Sequence, residues 1–183
     1  MKLIMAAGEL MRDEGYAQVT SRKLAERAGL KPQLVHYYFR TMSDLFEALF
    51  KTSTEMYLQQ LEKIAAQPSP LARLFELNSD PTGAAMQLEF LALANHRKEM
   101  HDLIADFGRE LNRRVAAILQ AEIDARGVKL PGLTAEQGAA ILEAVARGLA
   151  FSGPFNEDRF AGARKAVVLW LEQLGAVADP AVR

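Results

Sequence analysis

The stretch from Thr20 to Phe39, TSRKLAERAGLKPQLVHYYF, constrains this chain more than any other. Ser21 to Ala28 reads as a first helix with Thr20 as its cap, because a threonine hydroxyl accepts a bond from a free first-turn N–H. Gly29 is the turn: the backbone there calls for a left-handed φ that glycine adopts without strain. Pro32 suits the first position of a second helix, where its fixed φ helps and its missing N–H is not needed. Two helices joined this tightly meet at a steep angle, which calls for a small residue at the contact, and Ala25 stands four before Gly29. Leu24, Ala28, Leu30, Val35 and Phe39 then make a small core, with Tyr38 read as part of the packing. Gln33, His36, Tyr37 and Tyr38 make the rest of the second helix a donor-rich, aromatic surface suited to a groove, with core packing the preferred reading for Tyr38 itself. Two ordinary amphipathic helices with a glycine turn share the coarse pattern. The agreement of several independent positions favours a DNA-binding helix-turn-helix.

The rest of the chain is expected to be helical. Ile4, Ala7, Leu10 and Met11 recur at helical spacing over 2–14, and Gly15 stops that helix. A fourth helix starts with Ser43 as cap and Asp44 in its first turn, and Leu45, Leu49, Met56 and Ile64 carry its stripe to about residue 66. Gln67-Pro-Ser-Pro70 breaks the chain. A short helix over 71–77 follows, then one opened by Pro81. Its segment AAMQLEFLALA (84–94) is apolar on nearly every side, as in a helix buried between others. The longest helix covers 97–126 and ends at Gly127, with Met100, Leu103, Ile104, Phe107, Leu111, Val115, Ile118 and Leu119 facing inward. Thr134 and Gln137 form a capping box at the start of a helix over 135–151. Glu143 and Arg147 are a favourable i,i+4 pair on it. The last helix, 157–174, carries Phe160, Val167, Leu171 and Leu174 on one face. No segment reads as a strand or an internal repeat.

Composition narrows the function classes. The 183 residues are 50% apolar, enough for a sizeable core. There is no cysteine, so no disulfide and no thiolate metal site, which fits a reducing cytoplasm. The six-residue apolar run of MKLIMAAGE is too short for a signal peptide, and no run reaches the ~18 apolar residues of a membrane span. Net charge is −1, but residues 1–45 hold seven Lys or Arg against five Asp or Glu. A positive end on an acidic body orients a protein toward phosphate. His96 and His101 are five apart rather than four, so they are not a helical zinc pair. No nucleophile elbow, phosphate-binding loop or dinucleotide-binding fingerprint is present. The reading therefore carries no catalytic residue, no metal and no cofactor.

GLKPQLVHYYF followed by LFEALF resembles the DNA-binding domain of the TetR (tetracycline repressor) family of bacterial regulators. IMAAGELMRDEGYAQVTSRKLAERAG is similar to the first two helices of that family. The remaining chain shares only the helical pattern. The resemblance implies an all-α chain with a three-helix DNA-binding domain (1–42) and a C-terminal helical bundle (43–183) for effector binding and dimerisation. Family members carry a longer, often basic segment before the first helix. Here the helix begins almost at Met1, so either arm contacts are missing or an arm precedes this sequence. The family pattern has Lys where this chain has Met42, with Arg40 as a substitute, and Tyr where it has His36.

The DNA-binding set is then Arg22, Lys31, Pro32, Gln33, Leu34, His36, Tyr37 and Arg40. Lys31, Tyr37 and Arg40 suit phosphate, Gln33 an adenine edge, and Leu34 a thymine methyl. Arg22 reaches either phosphate or base. The expected partners are a palindromic double-stranded operator, a second copy of the chain and a small apolar effector. The effector set is Met56, Met86, Phe90, His101, Phe107, Asn112, Arg147 and Phe151. The dimer set is Val145, Leu149, Val167, Trp170, Leu171 and Leu174, on helices more apolar than one buried face requires. The implied function is a repressor released by its effector. A constitutive dimeric DNA-binding protein without a ligand predicts the same amphipathic helices.

Overall fold

The structure is a computed structural model that describes residues 1–127, 130, 132–153 and 157–176. Among these, the elements are α1 (Lys2–Glu14), a 3-10 turn (Tyr16–Gln18), α2 (Ser21–Ala28), α3 (Pro32–Tyr38), α4 (Met42–Ala65), α5 (Pro70–Asn78), α6 (Pro81–Ala94), α7 (Lys98–Arg126), α8 (Ala135–Ser152) and α9 (Glu157–Ala176). The fold is all-α, as the sequence implied, and no described residue lies in a strand. No helix among the described residues is long and apolar enough to cross a membrane. The chain forms two compact units, Met1–Tyr57 with Ala85–Asp106, and Leu58–Ala84 with the described residues from Phe107 onward.

In the first unit, α1 buries Leu3, Ala6, Ala7, Leu10 and Met11, while Ile4 is only half-buried. Gly15 ends the helix at φ 86°, its N–H donating to the Met11 carbonyl at 3.1 Å. Thr20 caps α2 by accepting from the Lys23 N–H at 3.3 Å. Gly29 is left-handed, φ 65°. Its N–H donates to the Glu26 carbonyl at 3.1 Å, and the Leu30 N–H reaches back to Ala25 at 2.8 Å. That pair of bonds satisfies two carbonyls at the helix end and turns the chain sharply toward α3. Leu24, Ala25 and Val35 are fully buried; Ala28, Leu30 and Phe39 are half-buried around them.

Four sequence expectations need correction in detail. Tyr38 is not core; it is 64% exposed, because Phe39, four after Val35, takes the inward position as α3 ends. Ser43 is not the cap of α4. Thr41 and Asp44 bond reciprocally, Thr41 N–H to Asp44 Oδ2 at 2.9 Å and Asp44 N–H to Thr41 Oγ1 at 3.1 Å. Met56 leaves the buried stripe of α4 and is 66% exposed, the inner side passing through half-buried Ser53 and Tyr57 to Leu61. In α6, Phe90 and Leu93 are buried, Phe90 edge-on to Phe50 at 5.1 Å, but Leu88 and Leu91 are 41% and 40% exposed. A helix apolar all round has no periodic signal, so only its neighbours decide which side is covered.

In the second unit, Ala72 and Phe75 of α5, Ala146 of α8 and Leu171 of α9 form a core cluster, with Leu71, Leu142, Leu149, Val167 and Val168 packed against it. Leu111, Val115, Ala116 and Leu119 of α7 are also buried. The capping box of α8 is present: the Gln137 N–H donates to Thr134 Oγ1 at 3.2 Å, and Thr134 N–H to Gln137 Oε1 at 2.9 Å. Glu143 and Arg147 pair along α8. Arg114 bridges helices by binding Glu110 at 2.6 Å and Glu62 at 3.0 Å.

Candidate nucleic-acid interface

The charges of α1 and α2 divide into a bound group and a free group. Lys23 donates to Glu14 at 2.7 Å and to Gln18 at 2.9 Å. Arg27 binds Asp13 at 3.0 Å and Glu14 at 3.2 Å, with Glu9 at 3.9 Å. Hydrogen bonding to Asp13, ahead of the charges of Asp13, Glu14 and Glu9, holds the Arg27 guanidinium above its ordinary pKa. Those two cations fasten α2 to α1. Arg22, Lys31 and Arg40 are exposed and bind no carboxylate among the described residues. Together with exposed Lys2 and Arg12 of α1, which also bind no carboxylate among the described residues, they are the charges left for an external anion.

The surface of α3 follows from its shortness. Of its seven residues only Val35 is buried, so one side anchors the helix and the others face out. Pro32, Gln33 and His36 are exposed; Leu34 is 37% and Tyr37 79% exposed. All eight expected DNA-binding residues thus lie exposed on α2, α3 and the turns around them. Tyr38 is exposed beside them. It stacks edge-to-face on Tyr37 with centroids 5.2 Å apart, so two phenols share one edge of the surface. Its position was legible from spacing, since Phe39 rather than Tyr38 stands four after Val35.

The expected effector residues divide between the two units. Met86 and buried Phe90 belong to the first, with exposed Met56 and exposed His101, whose ring nitrogen meets Asp102 at 3.2 Å. Phe107, Asn112, Arg147 and Phe151 belong to the second. There the Asn112 Oδ1 is buried without a hydrogen-bond partner. The second unit also holds a cleft of about 150 Å³ whose walls include Leu71, Leu119, Ile123, Ile141, Leu142 and Trp170. None of the eight expected effector residues lines it. Among the described residues no group of three or more His, Asp or Glu is placed to hold a metal ion.

The expected dimer residues also separate. Val145 and Trp170 are 42% and 54% exposed, beside Ile141 at 49% and Leu169 at 48%. Leu149, Val167 and Leu171 instead pack on the core cluster of their own chain. The Leu174 side chain lies outside the described residues. Helices α8 and α9 therefore have an inner edge that builds the unit and an outer apolar edge that it leaves uncovered.

Known proteins resemble the chain along most of its length. Residues 3–49 match the tetR family of bacterial regulatory proteins, and residues 71–177 match the C-terminal domain of BetI-type transcriptional repressors. The chain is 28% identical over 170 residues to the HTH-type transcriptional regulator BetI of Cronobacter sakazakii, covering 85% of this chain and 81% of that protein. A shorter match, 30% over 63 residues, links it to the fatty acid metabolism regulator protein of Bacillus subtilis, covering 34% of this chain and 32% of that one. Two solved structures share the fold. One is the transcriptional regulator FadR of Bacillus subtilis in complex with stearoyl-CoA (TM-score 0.74, 21% identity, 93% and 96% of the two chains). The other is a TetR transcription regulator of Haloarcula marismortui (TM-score 0.76, 19% identity, 94% and 95%).

Proposed function

The chain belongs to the TetR family of bacterial transcriptional regulators, with a C-terminal domain of the BetI type; from that premise we propose that it is a homodimeric repressor acting in the cytoplasm, released from a palindromic operator by a small apolar effector. The observation that carries this reading is the free surface of α2 and α3. Arg22, Lys31 and Arg40 offer charge to phosphate while Gln33, His36 and Leu34 stand outward on a helix anchored by Val35 alone. In this reading Gln33 donates to and accepts from an adenine edge, Leu34 meets a thymine methyl, and Lys31, Tyr37 and Arg40 hold the backbone. The reading assigns no catalysis to the chain, and it divides the work between residues 1–42, which read DNA, and 43–183, which dimerise and bind the effector.

The second copy is placed on the outer edge of α8 and α9, through Ile141, Val145, Leu169 and Trp170. In this reading the dimer brings two copies of α3 to the two half-sites of a palindrome. The effector is placed in the second-unit cleft, whose apolar walls suit a hydrocarbon surface. Ile141 and Trp170 serve both the cleft and the outer edge, so ligand and partner compete for, or share, the same two side chains. Helix α4 is unbroken from Met42 to Ala65 and contributes residues to both units. FadR of Bacillus subtilis, seen with stearoyl-CoA, supports a ligand with a long apolar chain for this fold. Coupling of ~1–3 kcal/mol between effector and operator means a 5–150-fold change in DNA affinity.

Selection of duplexes from a randomised pool, followed by anisotropy titration across salt concentrations, tests the DNA reading. The expected result is an enriched palindrome and an affinity that falls steeply with salt. Failure to enrich any duplex overturns it. Hydrophobic compounds that raise the melting temperature and then displace the selected duplex support the effector; stabilisation without displacement leaves a ligand-binding protein with no switch.

A further inference from the structure

The family match assigns residues 71–177 to the C-terminal domain, yet Ala85–Asp106 packs into one compact unit with Met1–Tyr57. Two contacts made by this segment stand out for where they land. The Glu89 carboxylate of α6 accepts the backbone N–H of Tyr16 at 2.6 Å, across 73 residues of sequence. A short charge-assisted bond of this kind fixes both groups. It sits at the turn that ends α1, where Gly15 takes φ 86°. The Arg97 guanidinium, just before α7, donates to the Ser43 hydroxyl and lies 5.7 Å above the Phe46 ring, both on the first turns of α4. Glu89 and Arg97 are half-buried, and Arg97 has no carboxylate partner among the described residues.

Tyr16 and Ser43 are the two ends of the segment that contains α2 and α3. One corner of the fold, from Glu89 to Arg97, therefore holds the reading helices by both their ends. We infer that Glu89 and Arg97 are positioning residues for DNA reading: they set the orientation of α2 and α3 without touching DNA. The inference rests on the reading of α2 and α3 as the DNA-binding helices. The physical argument is that base contacts tolerate only about half an ångström and 10–20° of misplacement. A segment hinged at one end meets that tolerance less often than one held at two.

The test uses the full-length protein and a duplex that the unmodified protein selects from a randomised pool. Glu89→Ala and Arg97→Ala are each expected to weaken binding by roughly 3- to 30-fold. Glu89→Gln, which keeps an oxygen to accept the Tyr16 N–H, restores most of the loss. The slope of log affinity against log salt stays that of the parent, since no phosphate contact is removed. Ser43→Ala adds less in the Arg97→Ala background than alone, because the two share one bond. Thermal melts taken alongside separate misfolding from misplacement. The inference is overturned by parent-like affinity in all variants, by a salt slope reduced by about one in Arg97→Ala, which would make Arg97 a phosphate contact, or by equal losses in Glu89→Ala and Glu89→Gln. It is also overturned if the affinity loss only mirrors the unfolded fraction at the assay temperature. If the parent selects no duplex, the DNA reading itself falls and takes the inference with it.

Discussion

Helix α3 and the outer edge of α8 and α9 both face solvent, but they are built on opposite terms. Outward from Val35, α3 shows Gln33, His36, Tyr37 and Tyr38, and around it Arg22, Lys31 and Arg40 bind no carboxylate among the described residues. The α8–α9 edge shows Ile141, Val145, Leu169 and Trp170, all between 42% and 54% exposed. A surface of unpaired donors is well solvated alone and gains by exchanging water and counterions for phosphates and base edges. A surface of branched and aromatic side chains is poorly solvated alone and gains by exclusion of water, at roughly 25 cal/mol per Å² of apolar area covered. The contrast is what the proposed reading draws on when it gives the first surface to a polyanion and the second to a copy of the same chain.

The largest expected effect comes from breaking the apolar edge. Trp170→Glu combined with Val145→Glu should convert dimer to monomer by ultracentrifugation at micromolar concentration. Loss of the second half-site contact should then weaken operator binding by at least about 100-fold. A double variant that remains dimeric with parent affinity would place the partner elsewhere. Effects on α3 should be smaller and confined to DNA. Gln33→Ala is expected to relax base preference by ~1–3 kcal/mol at one position per half-site, read by competition among single-base variants of the selected duplex. Arg22→Ala should lower affinity while leaving the sedimentation profile untouched.

Stability variants sharpen the comparison from within. Gly29→Ala is expected to destabilise by ~1–2 kcal/mol in a denaturant titration. Nothing lies within 4 Å of an added Cβ at Gly29, so the cost is the φ of 65° and not crowding. Removal of the cap in Thr20→Ala should cost about 1 kcal/mol. The smallest effect concerns acid. Glu110 is held below the usual carboxylate range by hydrogen bonds from Arg114 first and Arg113 second. Its contribution is present above the ordinary glutamate pKa and is lost as pH falls through the depressed value. Glu110→Gln should therefore flatten the acid limb of the stability profile. Operator affinity at neutral pH should stay the same, since Glu110 belongs neither to the α2–α3 surface nor to the Ile141, Val145, Leu169 and Trp170 edge.

What the sequence revealed was local. Thr20 with Lys23, Gly29 with Ala25, and Thr134 with Gln137 are each separated by three or four residues, and short-range geometry decides them. The cap of α4 shows the limit of that rule. Thr41 and Ser43 both offer a hydroxyl, and only Asp44, three after Thr41, closes the reciprocal pair. Leu88 and Leu91 were misplaced because a uniformly apolar helix carries no record of its covered side. The bond from Glu89 to Tyr16 had no local signature at all, since 73 residues separate its partners. Val167 and Leu171 looked like interface residues because composition marks them as apolar, whereas a shared cluster with Ala72 and Phe75 claims them for the core.

The pairing of Lys23 and Arg27 with the acids of α1 also bears on how quickly such a protein finds its site. Each cation neutralised by a neighbouring carboxylate shortens the time a DNA-binding protein spends stuck to random sequence, because sequence-independent adhesion is almost wholly electrostatic. A chromosome offers an enormous excess of wrong addresses, and the search is governed by how fast each is abandoned. On the proposed DNA reading, Glu14, by occupying both basic side chains at once, trades dwell time on every wrong address for a quicker arrival at the right one.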